Sequence, residues 1–281
     1  MMKGCLLMHK KRIVFVGSGS MAEAIIAGML QAGIVDKEQI YVTNKQDKER
    51  LVYMEKTYGV HTSYDKKTLI ALADIVILAM KPKDVKDSLL EIGPHIKESQ
   101  LVISVLAGIM TETIERLIQK KVPVTRTMPT TSAQIGYSAT AIAAGRYAGD
   151  KDLKSAEKLF QTIGLTKIVR EEDMHTVTAV SGSGPAFIYY FVEAMKKAAL
   201  EAGMDSQTAD ALIIQTIIGA GKMLEQSGCS PEVLRKNVTS KGGTTEAGLQ
   251  TLEANEFERI IKACIQSARN RSLDMAKAFQ V

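Results

Sequence analysis

The stretch Arg12 to Met29, R-I-V-F-V-G-S-G-S-M-A-E-A-I-I-A-G-M, decides how the rest of the chain is read. Ile13 to Val16 is a short apolar run rich in β-branched residues, Gly17-Ser18-Gly19 breaks it, and from Met21 the apolar residues recur at helical spacing. Strand, tight turn and helix follow one another, and together they carry the G-x-G-x-x-A form of a dinucleotide-binding fingerprint. Gly17 permits the sharp turn and Gly19 lets a pyrophosphate approach the backbone. Ala22 stands where a third glycine often is and lets the helix lie close to the strand. The helix N-terminus offers its unpaired N–H groups to the phosphates.

Working outward, 281 residues with 46% apolar side chains allow one large domain or two modest ones with a real core. No apolar run approaches the roughly 20 residues that span a bilayer. The first ten residues have too short an apolar centre for a signal peptide and read as an extension before the first strand, so the expected compartment is the cytoplasm. Cys5, Cys229 and Cys264 are odd in number and lack C-x-x-C spacing, which points to neither a disulfide framework nor a zinc site. The formal charge of +5 is spread along the chain, and His9-Lys10-Lys11-Arg12 is its one dense basic run. With no Trp and no clustered basic face, nucleic acid is not an expected partner.

After the first helix Gly33 is a stop, and Gln39 to Thr43 reads as the second strand. Its end selects the cofactor. An NAD-preferring site places Asp or Glu about here, whereas this chain has Asn44-Lys45-Gln46 followed by Lys48 and Arg50, so NADPH is expected, with NADH admitted. Two further units alternate: a helix Asp47 to Thr57, an extended Val60-His61, a helix Lys66 to Leu72, and an apolar run Asp74 to Ala79 that suits a parallel strand buried on both faces. That run ends in Met80-Lys81-Pro82, where Pro82 can open a helix. Gln100 to Val105 repeats the pattern and ends at Leu106-Ala107-Gly108. Val122 to Thr127 is a strand leading to Met128-Pro129-Thr130-Thr131. Ala139 to Ala144 reads as an edge strand, Lys151 to Ile163 as a helix and Thr166 to Val169 as a last strand, closing the nucleotide domain near Glu171.

From Glu172 onward the pattern is helical. Ser181-Gly182-Ser183-Gly184-Pro185 is strong punctuation, a hydroxyl cap with Pro at the first helical position, before a helix Ala186 to Ala202 striped with Phe187, Tyr190, Phe191, Ala194 and Ala198. A helix Ser206 to Ser227 follows, and its Ile213, Ile214, Ile217 and Ile218 make an apolar face wider than one layer needs. Such a helix is either central or packed against another subunit, and a dimer is the expectation drawn from it. Then Thr239-Ser240-Lys241-Gly242-Gly243-Thr244-Thr245-Glu246 precedes another helix. Two glycines expose backbone, hydroxyls surround them, and the next helix points its free N–H groups into the loop: an anion site, or simply a capped helix.

These motifs together resemble the pyrroline-5-carboxylate reductases, which catalyse the last step of proline biosynthesis. The resemblance rests on G-S-G-S-M-A at Gly17 to Ala22, A-M-K-P at Ala79 to Pro82, S-V-L-A-G at Ser104 to Gly108, R-T-M-P at Arg126 to Pro129, T-A-V-S-G-S-G-P-A at Thr178 to Ala186 and G-G-T-T at Gly242 to Thr245. The first three are shared with many hydroxyacid dehydrogenases and imine reductases; the last two, in this order and separation, are specific.

The resemblance implies an N-terminal Rossmann-type α/β dinucleotide-binding domain, residues 1–171, and an all-α C-terminal domain, residues 172–281, for dimerisation and substrate. The helical domain interlocks with its twin in a homodimer that is often assembled further into decamers. Cofactor contacts are implied at Val16, Gly17, Ser18, Gly19, Ser20, Met21, Asn44, Lys45, Asp65, Ala79, Met80, Lys81, Pro82, Val105, Leu106, Ala107 and Asn237. Ser240, Gly242, Gly243, Thr244 and Thr245 are implied to hold the carboxylate of 1-pyrroline-5-carboxylate, with the Thr245 hydroxyl near the ring nitrogen as the candidate catalytic group. Reducing a cyclic imine needs a hydride donor, an anchor that orients the ring and a proton; it needs no metal.

The chain departs from the family at three places. Thr130 and Ser132 stand where M-P-N-T-P is usual, Lys241 replaces the proline of S-P-G-G-T-T, and Asp65 occupies a place near the adenosine ribose where Asn is common. Two other readings follow from this: a related imine or hydroxyacid reductase, and a non-catalytic NADP-binding regulatory homologue.

Overall fold

The computed structural model of this chain describes Met8 and residues 10–279. Cys5, His9 and most of the expected N-terminal extension lie outside the described residues. The chain divides into two compact units, Met1–Gly182 with Ala268–Val281, and Ser183–Ser267.

The first unit is built on an eight-stranded sheet ordered β3-β2-β1-β4-β5-β6-β7-β8. Its strands are β1 (Ile13–Val16), β2 (Ile40–Thr43), β3 (His61–Thr62), β4 (Ile75–Leu78), β5 (Leu101–Ser104), β6 (Val124–Met128), β7 (Ser138–Ala144) and β8 (Gly164–Ile168). Helices α1 (Ser20–Gln31), α2 (Lys48–Tyr58), α3 (Lys66–Leu72), α4 (Val85–Ile92), α5 (Thr111–Ile118) and α6 (Asp150–Phe160) connect them, and a short α7 (Met174–Val177) follows β8. Strands β1 to β6 are parallel neighbours, with Val16 opposite both Thr43 and Leu78. Their side chains alternate between two cores. Ile13 and Phe15 pack with Ile25, Ile26 and Met29 of α1 and Phe160 of α6, while Val14 and Val16 face the other way, toward Leu89 and Ile92 of α4 and Ile114 of α5.

The expected strands and helices of this unit are present, with two corrections. Residues 138–144 do not form an edge. β7 lies between β6, to which it is antiparallel, and β8, to which it is parallel, so β8 is the strand at that margin. Helix α5 had no place in the sequence reading; its buried side Thr111, Thr113, Ile114 and Ile118 alternates with charged residues over only two turns.

The expected hydroxyl cap before the long helix is also absent. Residues Thr178–Gly182 form a π turn in which Thr178 Oγ1 donates to Met174 O (2.8 Å) and Ser181 Oγ to Val177 O (3.2 Å). Both hydroxyls are spent on carbonyls one turn back. A Cβ at Gly182 would closely meet only the flexible end of the Met128 side chain, Cε at 2.7 Å.

The second unit is helical: α8 (Gly184–Glu201), α9 (Ser206–Gln226), α10 (Pro231–Asn237), α11 (Thr244–Ala254) and the first part of α12 (Phe257–Ala278). α8 opens with Pro185 in its first turn and packs on α9, with Lys196 Nζ 2.7 Å from Asp210 Oδ2. None of the residues of α8 is buried within the chain, and of α9 only Ala209 and Ile213 are. No helix among the described residues is long and apolar enough to cross a membrane.

The last turns of α12 belong to the first unit, where Ser272 Oγ is 2.9 Å from His175 Nδ1 and both residues are buried. Burial, then the nearby charges of Arg126 and Arg269, hold the imidazole below its ordinary value of 6.5, against the opposing pull of Glu171. Folding therefore disfavours the imidazolium. The unfolded chain binds more protons as pH falls through about 6.5, and the stability contributed by neutral His175 is full above that pH and lost below it. Urea midpoints measured from pH 7.5 to 5.5 are expected to fall in the native chain and to fall less in His175→Gln; parallel curves would remove His175 from the pH dependence.

A second expectation concerns the turn after β1. Gly17 has φ +117°, and a Cβ there would sit 2.4 Å from Ala79 C and O, whereas Gly19 has open space around it. Gly17→Ala is expected to cost about 3 kcal/mol from strain plus backbone overlap, and Gly19→Ala under about 0.5 kcal/mol. Equal losses in chemical denaturation would refute the assignment of the two glycines.

Candidate functional site

Strand order reverses between β1 and β4, since the chain leaves β1 toward β2 and β3 and then returns to β4 on the other side. Helix connections on either side splay apart there, and a cleft opens at the carboxyl ends of the strands. It encloses ≈510 Å³ and is lined by Val16, Gly17, Ser18, Gly19, Asn44, Lys45, Ala79, Met80 and Lys81, all cofactor candidates from the sequence. Gln46, Asp47, Lys66, Lys83, Asp84, Asp87, Ser88 and Glu91 complete the lining. The sequence carried a signal for half of these: Asp84, Asp87, Ser88 and Glu91 recur at helical spacing after Lys81-Pro82.

The floor of the cleft is fixed by backbone. Gly17 N donates to Thr43 O (2.8 Å) and Ala79 N to Val16 O (2.9 Å), which ties the β1 turn to both neighbouring strands. Gly19 caps α1 in an extended conformation, so Ser20, Met21 and Ala22 begin the helix with N–H groups that have no partner within it. Those donors, the absence of a Cβ at Gly19 and the size of the cleft fit a dinucleotide diphosphate. Ser20 and Met21 thus stand at the helix start rather than on the cleft wall.

The groups expected at the adenosine ribose have divided duties. Asn44 is buried, and its amide donates to Ser18 Oγ (3.0 Å) and Asp47 O (2.7 Å) while its carbonyl accepts from Asp47 N (2.9 Å). Its polar atoms serve the scaffold. Lys45 is exposed on the rim, 3.6 Å from Asp84. Asp65 caps α3, accepting from Thr68 N (3.1 Å), and that hydrogen bonding holds its carboxyl below the usual range. It does not line the cleft. Pro82 starts the turn that leads into α4.

Val105, Leu106 and Ala107 leave the end of β5. Val105 N donates to Leu78 O (3.1 Å), Leu106 is buried in the core, and Gly108 turns the chain at φ +74° with Met275 Cβ only 3.1 Å from where its own Cβ would be. Thr130, the first departure from the family pattern, is buried: its N–H donates to Ser138 Oγ (3.0 Å) and its hydroxyl accepts from Ala139 N (3.3 Å). The substitution is built into the turn between β6 and β7.

The candidate anion loop lies in the second unit. Gly242 has φ +73°, Gly243 is the extended cap of α11, and Gly243 N donates to Ser240 O (3.0 Å). A Cβ on Gly243 would approach Ser240 Oγ to 2.5 Å and Ser240 O to 3.1 Å, so the loop packs closely there. Gly242 N donates to Glu246 Oε2 (2.7 Å), a partner the sequence reading did not assign. Thr244, Thr245 and Glu246 then start α11 with N–H groups unpaired by helix geometry, beside the exposed Ser240 and Thr245 side chains. Asn237 ends α10 and is exposed. Among the described histidines, His61 stacks on Tyr41, His175 binds Ser272, and neither these nor His95 lines the cleft. Among the described residues no three His, Cys, Asp or Glu side chains gather as a metal-binding set.

Comparison with known proteins follows the two units. The family described as pyrroline-5-carboxylate reductase dimerisation matches residues 171–275, and that described as NADP oxidoreductase coenzyme F420-dependent matches residues 12–108. Pyrroline-5-carboxylate reductase 2 of Bacillus subtilis is 49% identical over 269 residues, 96% of each chain. Pyrroline-5-carboxylate reductase of Staphylococcus haemolyticus is 39% identical over 95% of this chain and 98% of its own. Among solved structures, a pyrroline-5-carboxylate reductase from Coxiella burnetii superposes with a TM-score of 0.89 at 33% identity, covering 95% of this chain and 99% of that one. The Plasmodium falciparum pyrroline carboxylate reductase with NADP bound gives 0.86 at 27% identity, covering 96% and 99%. Identity of this order along nearly the whole length, through both the phosphate turn and the Gly242–Thr245 loop, means that the chain belongs to the pyrroline-5-carboxylate reductase family.

Proposed function

We propose that this chain reduces 1-pyrroline-5-carboxylate to L-proline with NADPH, NADH being the alternative donor. The observation that carries the proposal is the presence, in one chain, of a glycine turn shaped for a dinucleotide diphosphate and a second glycine loop whose donors are peptide nitrogens at a helix start. Such a loop suits a carboxylate. NADPH, when bound, supplies the hydride that the imine carbon requires. The protein's part is placement: Gly17 to Met21 receive the diphosphate, Ala79 to Pro82 and Val105 to Ala107 border the strand ends, and Lys45 faces the 2′-phosphate. Ser240 and the N–H groups of Thr244 and Thr245 hold the substrate carboxylate, on a loop whose Gly242 and Gly243 N–H groups are paired within it, and the Thr245 hydroxyl hydrogen-bonds the ring nitrogen, which takes its proton from water. Asn237 is assigned to the ribose side of the cofactor, whereas Asp65, which caps α3 and does not line the cleft, is not.

Residues 1–171 form the cofactor domain in this proposal, and residues 172–281 the dimerisation and substrate domain. The assembly is a homodimer that builds further into decamers, supported by the exposure within one chain of Tyr190, Ile214 and Ile218. The proposed compartment is the cytoplasm, in keeping with free Cys229 and Cys264.

The purified chain is expected to oxidise NADPH with pyrroline-5-carboxylate and far more slowly with its six-membered homologue. Oxidation with neither, alongside tight NADPH binding, would instead favour the regulatory homologue. Thr245→Val is expected to lower kcat/KM by about tenfold, the loss of one hydrogen bond to a reacting atom; unchanged kinetics would remove Thr245 from the mechanism. Sedimentation is expected to give at least twice the chain mass of 30.6 kDa. A mass equal to one chain would overturn the dimer.

A further inference from the structure

The phosphate turn has a mechanical difficulty. Its central residue, Ser18, lies between two glycines, and glycine is the residue that constrains a neighbouring peptide least. A loop free to rotate there would scatter the N–H groups that must face a diphosphate, and ordering it on binding would weaken affinity. Something outside the loop has to hold it.

Ser18 is 5% exposed and is gripped at two points. Asn44 holds its hydroxyl from the end of β2 (3.0 Å), and Arg50 holds its carbonyl from the first turn of α2, Nε donating to Ser18 O at 2.6 Å. The other edge of the same guanidinium is also engaged: Nη2 is ion-paired with Glu23 Oε2 on α1, and the group lies 4.9 Å from the centre of the Tyr53 ring. Glu23 Oε1 in turn accepts from Tyr53 Oη and Tyr58 Oη, both at 2.8 Å. Burial alone would raise the Glu23 carboxyl, but hydrogen bonds from Arg50, Tyr53 and Tyr58 outweigh it and hold the group below its ordinary value, so it stays ionised. Arg50 does not line the cofactor cleft, and its charge is matched by a carboxylate in direct contact.

We infer that Arg50 is a positioning residue for cofactor binding: bridging Ser18 O and Glu23, it fixes the Gly17-Ser18-Gly19 backbone that receives the diphosphate, and it does not bind the 2′-phosphate. The inference rests on the proposed function of the cleft. It deepens that reading in a direction the sequence pattern alone reverses, because an arginine six residues after Asn44 at the end of β2 suggests a 2′-phosphate ligand.

The two roles differ in a measurable way. The diphosphate is common to NADPH and NADH, while the 2′-phosphate belongs to NADPH alone. For Arg50→Ala in the full chain, the KM values for NADPH and NADH are expected to rise by the same factor, about tenfold, with kcat at saturating cofactor within about twofold of the native value. Glu23→Gln keeps the side-chain volume but loses the charge, and is expected to raise both KM values in the same ratio to one another. Arg50→Lys keeps the positive charge but cannot bridge both partners, so it is not expected to restore either value. A rise confined to NADPH, rescue by lysine, or a loss of kcat and thermal stability with both KM values unchanged would each overturn the inference. If the native chain binds neither dinucleotide by fluorescence titration, the cofactor reading falls and the inference falls with it.

Discussion

The missing side chain at Gly17 is the constraint on which the first unit depends. β1 and β4 run side by side, and the chain leaving β1 must cross over the backbone of Ala79 and Met80 at a separation that no Cβ tolerates. That closeness sets where α1 begins, and the start of α1 sets where its unpaired N–H groups point. The cleft is therefore a consequence of strand order and one glycine together. Ala22, buried completely against the sheet, completes the same economy of space on the helix side.

Freedom bought with glycine has to be removed again by polar contacts that reach across the sequence. Asn44 and Arg50 do this from the second β–α unit, 26 and 32 residues from Ser18. Around the cleft mouth the charges are mixed: Lys45 faces Asp84 at 3.6 Å and Lys66 faces Glu91 at 2.7 Å. Each pair has one partner open to solvent, and pairs screened in this way contribute little to stability, of the order of 0–1 kcal/mol each. Their effect is on the local potential, which keeps the rim from being a general trap for anions.

The α/β alternation was legible because apolar runs at β1, β4 and β5 are buried on both sides and so show no polar interruption, and because Gly17, Gly33 and Gly59 each mark a turn with positive φ. Pairing order was not. Whether residues 138–144 lie at a margin or between two strands depends on β8, whose own sequence, Gly164–Ile168, says nothing about which neighbour it takes. At the site, the glycines and the strand-end residues were readable from type and spacing. Asn44 and Arg50 show the limit of reading by chemistry alone: each has groups suited to a ribose phosphate, and in this chain those groups bond Ser18. A side chain's partner is a long-range fact, and charge or amide character does not reveal it. Glu246 is the converse case: nothing in its spacing announced the bond to Gly242 N, yet it fixes the loop.

The return of α12 to the first unit bears on how the protein is made. Ser272 and Met275 come after the whole helical unit in sequence, yet they meet His175 and Gly108 of the first unit. A nascent chain emerging N-terminus first can pair its strands early, because those contacts are already outside the ribosome. The contacts that α12 brings to this unit arrive only after Ser183–Ser267 has been synthesised. Completion of the first unit thus waits for residues made after the second, and premature termination anywhere in the second unit leaves the first unfinished as well.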